Sequence, residues 1–124
     1  MSAHVKKALF PATVIAADTT TTGDEFILHP HAREIIIESI VSSRTDGTFT
    51  ATLQHSPDGT TFTNVLMADG STAFAGAAQS ANGTVFKFLL KNTPIFQRVR
   101  ISILSSSTTS GATVECNLYH GVQR

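Results

Sequence analysis

The sequence predicts an all-β fold: a single antiparallel β-sandwich, jelly-roll-like, of about eight strands. Three observations carry this. Short stretches alternate apolar and polar residues with the period of a half-buried strand, most cleanly at 48–55, where Phe49, Ala51 and Leu53 alternate with Thr48, Thr50, Thr52 and Gln54. Turn residues punctuate the chain about every 8–12 residues. No segment holds apolar residues at i, i+3, i+4 and i+7 over three turns together with helix caps.

The elements follow in order. Residues 1–16 read as an N-terminal strand or arm, with Pro11 marking an edge position or a bulge. Lys6 and Lys7 ahead of the apolar run 8–17 loosely resemble a secretory leader, but Pro11 interrupts that run. Thr19 to Gly23 reads as a polar connection, Glu25 to Leu28 as a short strand ended by Pro30, and Arg33 to Ser43 as the strongest strand. There Ile35, Ile37 and Val41 share one face and Ile36, Glu38 and Ile40 the other. Apolar residues on both faces suit a central strand or one covered by a neighbouring subunit. Arg44-Thr45-Asp46-Gly47 is a hairpin signal.

The strand 48–55 then enters the turn Ser56-Pro57-Asp58-Gly59. Proline presets the torsion at the second turn position, aspartate bonds back to the turn backbone, and glycine takes the positive torsion that closes it. Phe62 to Met67 returns as the partner strand. Ala68 to Gly83, rich in Ala, Gly and Ser, departs from the strand pattern. A loop of that length is usually functional, and Phe74 is its expected anchor on a partner, against the plainer reading of a surface loop. Thr84 to Leu90 is a strand with Phe86, Phe88 and Leu90 on one face. Ile95 to Leu104 has Val99, Ile101 and Ile103 inward and Arg98 and Arg100 outward. Ala112 to His120 closes the domain with Val114, Cys116 and Leu118 inward.

The length of 124 residues suits one domain, 1–124, large enough to bury about two-thirds of its unfolded surface. One cysteine, Cys116, excludes an internal disulfide framework. Nine basic and nine acidic side chains balance, so nothing provides the basic footprint of a nucleic-acid binder. No apolar run approaches the ~18 residues of a membrane-spanning helix. Charged residues are only 15% of the chain. A surface poor in charge is cheap to desolvate against another protein, which fits life inside an assembly.

Candidate chemistry is thin. His29 and His31 would project to one side of an extended segment and could share a metal ion, but no third ligand can be placed beside them. His55, Ser56 and Asp58 have the residue types of a nucleophile triad, yet the turn already explains Ser56 and Asp58. Asp24 and Glu25 point to opposite faces, and Glu34 and Glu38 would lie about 13 Å apart along a strand, too far for paired acid–base work. Arg98 and Arg100 could meet an anion or a carboxylate across a subunit boundary, where an isolated monomer would simply solvate them. Cys116, inward on the last strand, behaves as a small apolar residue. The expectation is no catalysis, no cofactor, no metal and no small-molecule substrate.

Two segments carry a resemblance. LQHSPDGTTFTNV, residues 53–65, is similar to the S-x-DG-T-x-[WF] hairpin of small structural proteins of tailed bacteriophages, with Phe62 where Trp is more usual. FQRVRISILSSSTTSGATVECNLYHG, residues 96–121, resembles the strand pair R-V-R-[IV] and T-S-G-A-T-V that follows it in those proteins. The resemblance implies a β-sandwich virion protein assembled in the bacterial cytoplasm. The expected role is capsid decoration or cement: bridging subunits of the major capsid protein and copies of itself, with a trimer suited to local threefold positions. A tail-tube, connector or baseplate protein is the alternative within the class. A carbohydrate-binding β-sandwich is the alternative outside it, weakened by the absence of Trp and the single Tyr119. Expected contact residues are Phe10 in the arm, Phe74 in the loop, and Arg98 and Arg100 on the strand.

Overall fold

The computed structural model describes residues 2–15, 19–28, 32–66, 70–76, 78–89, 95–106 and 112–123. The strands in chain order are β1 (Ser2–Ile15), β2 (Thr20–Thr22), β3 (Phe26–Ile27), β4 (Ala32–Ser42), β5 (Thr48–Ser56), β6 (Thr63–Asn64), β7 (Gly83–Leu89), β8 (Arg98–Ser106) and β9 (Ala112–Gln123). They form two antiparallel sheets. Sheet A has the order β1-β9-β4-β7. Sheet B has the order β2-β8-β5-β6, with β3 also on β8. The fold is the expected sandwich of jelly-roll type.

Each sheet is organised by its central strands. β9 pairs with both β1 and β4, so Val114, Cys116 and Leu118 are fully enclosed. β4 lies between β9 and β7, a central position as its two-faced apolar pattern requires. Ile35, Ile37, Ser39 and Val41 face the core, while Ile36, Glu38 and Ile40 are half-exposed on the outside. In sheet B, β8 and β5 pair from Thr48↔Ser106 to Ser56↔Arg98, which puts Phe49, Ala51, Leu53, Val99, Ile101 and Ile103 on the inner face. Burial of such side chains supplies about 1.5–3 kcal/mol each for the larger ones.

Five sequence expectations change. Thr19 to Gly23 is not a mere connection: Thr20–Thr22 pair with Leu104–Ser102 along β8. With β3 farther along the same edge and the Gly23 amide donating to Ile101 O at 2.8 Å between them, β2 and β3 are one interrupted edge strand, and the strands number eight on that reading. The stretch holds no apolar residue, so periodicity had nothing to detect. Arg44 to Gly47 joins no hairpin, because β4 and β5 lie in different sheets. It is a corner, with Ser43 and Gly47 at φ of 55° and 77°, fastened by the Arg44 amide donating to Asn82 Oδ1 at 2.9 Å. The expected strand Phe62 to Met67 is paired as a ladder only at Thr63–Asn64, and the strand placed from Ile95 begins at Arg98.

The fifth change concerns 68–83. Its described part is not a free loop. Residues 73–76 and 78–79 run along the edge of β5 beyond β6: Leu53 N donates to Phe74 O, Gly76 N to Ala51 O, and Phe49 and Gln79 exchange both amide bonds at 2.8–3.0 Å. The segment finishes sheet B by hiding an edge that would otherwise stand open.

Candidate contact surfaces

The expected contact residues fall into two pairs. Phe10 and Phe74 are 3% and 0% exposed, and both rings sit in this chain's own core. The reason for Phe74 is the edge pairing just described: the Phe74 amide donates to Val65 O at 2.7 Å and its carbonyl accepts from Leu53 N, which aims the side chain inward. Lys87 Nζ lies 6.0 Å from the ring centroid, closing that side of the sandwich.

Arg98 and Arg100 do share the outer face of β8, but their partners are internal. Arg98 Nη1 reaches Glu25 Oε1 at 2.7 Å, both side chains being part-exposed. A pair this open to solvent contributes about 0–1 kcal/mol. Arg100 Nε donates to Gln54 Oε1 at 2.8 Å, and the guanidinium stands 4.1 Å from the centroid of the Phe62 ring. That stacking is worth about 0.5–1 kcal/mol at an exposed site. Among the described residues Arg100 has no carboxylate partner, so its charge is available at the surface.

Beside this face a cleft of about 340 Å³ opens between β3 and the turn, lined by Ile27, Ser56, Pro57, Ile95, Phe96, Gln97 and Arg98. Ile27 and Phe96 are exposed apolar residues at its rim. His55 packs on one of the lining residues: its Nδ1 accepts from the Phe96 amide at 3.1 Å and its ring lies 5.0 Å from that of Phe96. Burial lowers its pKa, in the direction of the neutral imidazole that the Phe96 bond requires.

His55, Ser56 and Asp58 do not form a relay. The Ser56 hydroxyl donates to Asp58 Oδ1 at 2.8 Å and accepts from the Gly59 amide at 2.8 Å, while His55 is committed to Phe96. Asp58 also accepts from the Thr60 and Thr61 amides at 2.9 Å each. Those backbone bonds, Thr61 first and then Thr60, with the Ser56 hydroxyl behind them, pull its pKa down to about 2. This is turn construction. Burial pushes the Cys116 thiol up to about 12, so it stays protonated at neutral pH. Among the described residues no three His, Cys, Asp or Glu side chains gather as metal ligands. His29 and His31 lie outside the described residues.

The outer face of sheet A carries a cluster that sequence reading did not single out. Asn117 is 1% exposed, and its Nδ2 donates to Glu38 Oε1 at 2.7 Å and Glu115 Oε2 at 2.9 Å. The Tyr119 hydroxyl donates to Glu38 Oε1 at 3.2 Å. Two carboxylates are thereby held side by side, flanked by the half-exposed Ile36 and Ile40 and by Phe86. Phe86 faces outward on β7. The alternation Val114, Cys116, Leu118 placed residues 115, 117 and 119 on one face. That β4 would bring Glu38 beside them depended on strand order, which has no local signature.

No protein-family profile matches the sequence, and no curated protein matches it. Solved structures do. The SPBc2 prophage-derived protein YomS aligns over 98% of this chain and 95% of its own, with a TM-score of 0.58 at 13% identity. The PBSX exported protein XepA aligns over 97% of this chain with a TM-score of 0.67 at 10% identity, and a chain of infectious bursal disease virus, Gx strain, over 98% with a TM-score of 0.56 at 12% identity. This chain spans only 38% and 32% of the lengths of those last two. At such identities the likeness is one of fold: the chain has the two-sheet antiparallel architecture that these proteins share.

Proposed function

We propose that this protein is a structural component of a tailed-bacteriophage particle, a capsid decoration protein that bridges capsid subunits without catalysis. The observation that carries the reading is the joint one of hairpin and fold. The Ser56–Gly59 turn and the β8–β9 strand pair resemble phage structural proteins, and the whole sandwich superposes on a prophage-derived protein over nearly the full length of both. The surface fits the role. Charge is sparse, Ile27, Leu66, Phe86, Phe96 and Leu104 stand exposed, and the one cluster resembling a triad is occupied in holding a turn.

In this role the protein works by burying surface across subunit boundaries. It binds the assembled shell because only the shell presents both halves of the site, and shell stability rises by mass action. Its partners are the major capsid protein and copies of itself, and it joins the virion in the host cytoplasm. The test is to locate the protein in purified virions by mass spectrometry and by imaging particles with and without it. Density on the capsid surface is the expected result. Recovery in tail fractions alone would move the protein to the tail, and absence from the particle would overturn the reading.

A further inference from the structure

Sheet A ends on two edges of different character. β1 carries three features that discourage a further strand: Pro11, which has no N–H to offer, register breaks between Ala8 and Phe10 and between Phe10 and Thr13, and the successive Lys6 and Lys7. β7 reads Gly-Thr-Val-Phe-Lys-Phe-Leu, with no proline and one charge. It pairs with β4 without a register break from Ile35↔Leu89 to Val41↔Gly83. Among the described residues, no strand or loop backbone bonds to its other edge. A shallow cleft of about 220 Å³, lined by residues 78–85, opens against its first half. At its centre Phe86 is 53% exposed. A regular, apolar edge of this kind offers a row of backbone donors and acceptors to another strand.

We propose that β7 is a pairing edge whose occupant is β7 of a second copy, antiparallel about a two-fold axis through Phe86. The four strands of each sheet A then form one continuous sheet across the dimer. The register follows from the pleat and from charge. A two-fold axis perpendicular to the sheet keeps the outer face outward, so a residue meets only positions of its own parity. Centring on Phe86, the midpoint of Gly83–Leu89, pairs every residue of the strand: Phe86 with Phe86, Val85 with Lys87, Thr84 with Phe88, Gly83 with Leu89. Centring on Lys87 would set two ammonium groups directly opposite each other, which is destabilising. Centring on Val85 would leave Phe88 and Leu89 without partners. The favoured register also joins the outward Phe86 of the two copies as an aromatic cross-strand pair, beside the half-exposed Ile36 and Ile40.

This deepens the particle reading by naming the strand through which copies meet, and its test uses purified protein alone. Failure here leaves the particle reading standing, and absence from virions leaves the dimer standing. Sedimentation of the purified chain should show a dimer at about 100 μM, and Phe86→Lys should weaken it by about tenfold or more. Under mild oxidation Phe86→Cys should cross-link to a covalent dimer, and Thr84→Cys, which faces position 88 of the other copy, should not. The native Cys116 is buried and does not compete. Circular dichroism checks that each variant keeps its sheets. A monomeric wild type, a dimer that Phe86→Lys leaves intact, or equal cross-linking at positions 84 and 86 would each overturn the proposal.

Discussion

The Ser56–Thr61 turn and the segment of residues 73–76 and 78–79 both flank β5, and they are held by opposite means. The turn is secured locally: Ser56 and Asp58 bond to amides two or three residues away, and Gly59 supplies a φ of 80°. The segment is secured from a distance, by backbone bonds to Phe49, Ala51 and Leu53 and by one buried ring. The difference teaches where each kind of information resides. A turn is a property of its own residues. An edge-covering segment is a property of the edge that it covers.

Variants of the two regions should differ in their cost to stability. Phe74→Ala should destabilise the fold by about 3–5 kcal/mol, because it empties a fully enclosed aromatic site and loosens the edge cover with it. Denaturant midpoints read this directly, and a loss under about 1 kcal/mol would mean that the segment contributes little. Gln79→Ala comes next. Gln79 Oε1 accepts from Ser39 Oγ at 2.7 Å and its Nε2 donates to Gly83 O at 3.1 Å, tying the segment to β4 and β7. Its removal strands the buried Ser39 hydroxyl at about 1–3 kcal/mol, and a double variant with Ser39→Ala should recover part of the loss.

The turn should respond less. Gly59→Ala meets a positive φ and puts a Cβ 3.2 Å from Glu25 Oε1 and 3.3 Å from Arg98 Cδ, a cost of about 1–2 kcal/mol. Since those two side chains are flexible and part-exposed, the torsion is the larger share. The smallest effect is electrostatic. Asp58 titrates near 3.8 when unfolded and at about 2 in the turn. Its folded pKa is depressed, so its contribution is complete above the unfolded value and is lost as pH falls through the folded one. Unfolding midpoints of the wild type should therefore drop over that acid window, and those of Asp58→Asn should drop less. Identical pH profiles would show that the turn bonds do not discriminate the carboxylate from an amide.

The legible parts of the molecule were those encoded over a few residues. Alternation placed Phe49, Ala51 and Leu53, then Val99, Ile101 and Ile103, on the buried faces where they lie. The β5–β6 hairpin was readable because proline, aspartate and glycine act on torsions and amides within their own turn. Thr20–Thr22 escaped notice because an exposed edge strand needs no apolar period. Arg44 to Gly47 has the residues of a hairpin turn but makes a corner, since turn chemistry specifies a reversal of the chain and not which sheet receives it.

For the surface, the gap was wider. Phe74 stands alone among small residues, and nothing in its neighbourhood along the chain announces that its ring joins the core. Arg98 meets Glu25, 73 residues away in sequence, a pairing that no local pattern announces. The Glu38–Asn117–Glu115 cluster joins strands 79 residues apart. Composition, alternation and turn residues are short-range and decide that the chain is a sandwich of about this many strands, with these faces inward. Strand order and edge exposure come from long-range pairing, whose cost in chain entropy is repaid only when the two sheets close on one another. Only that closure set Phe86 at the middle of an edge that no described strand covers, and Phe74 in the core.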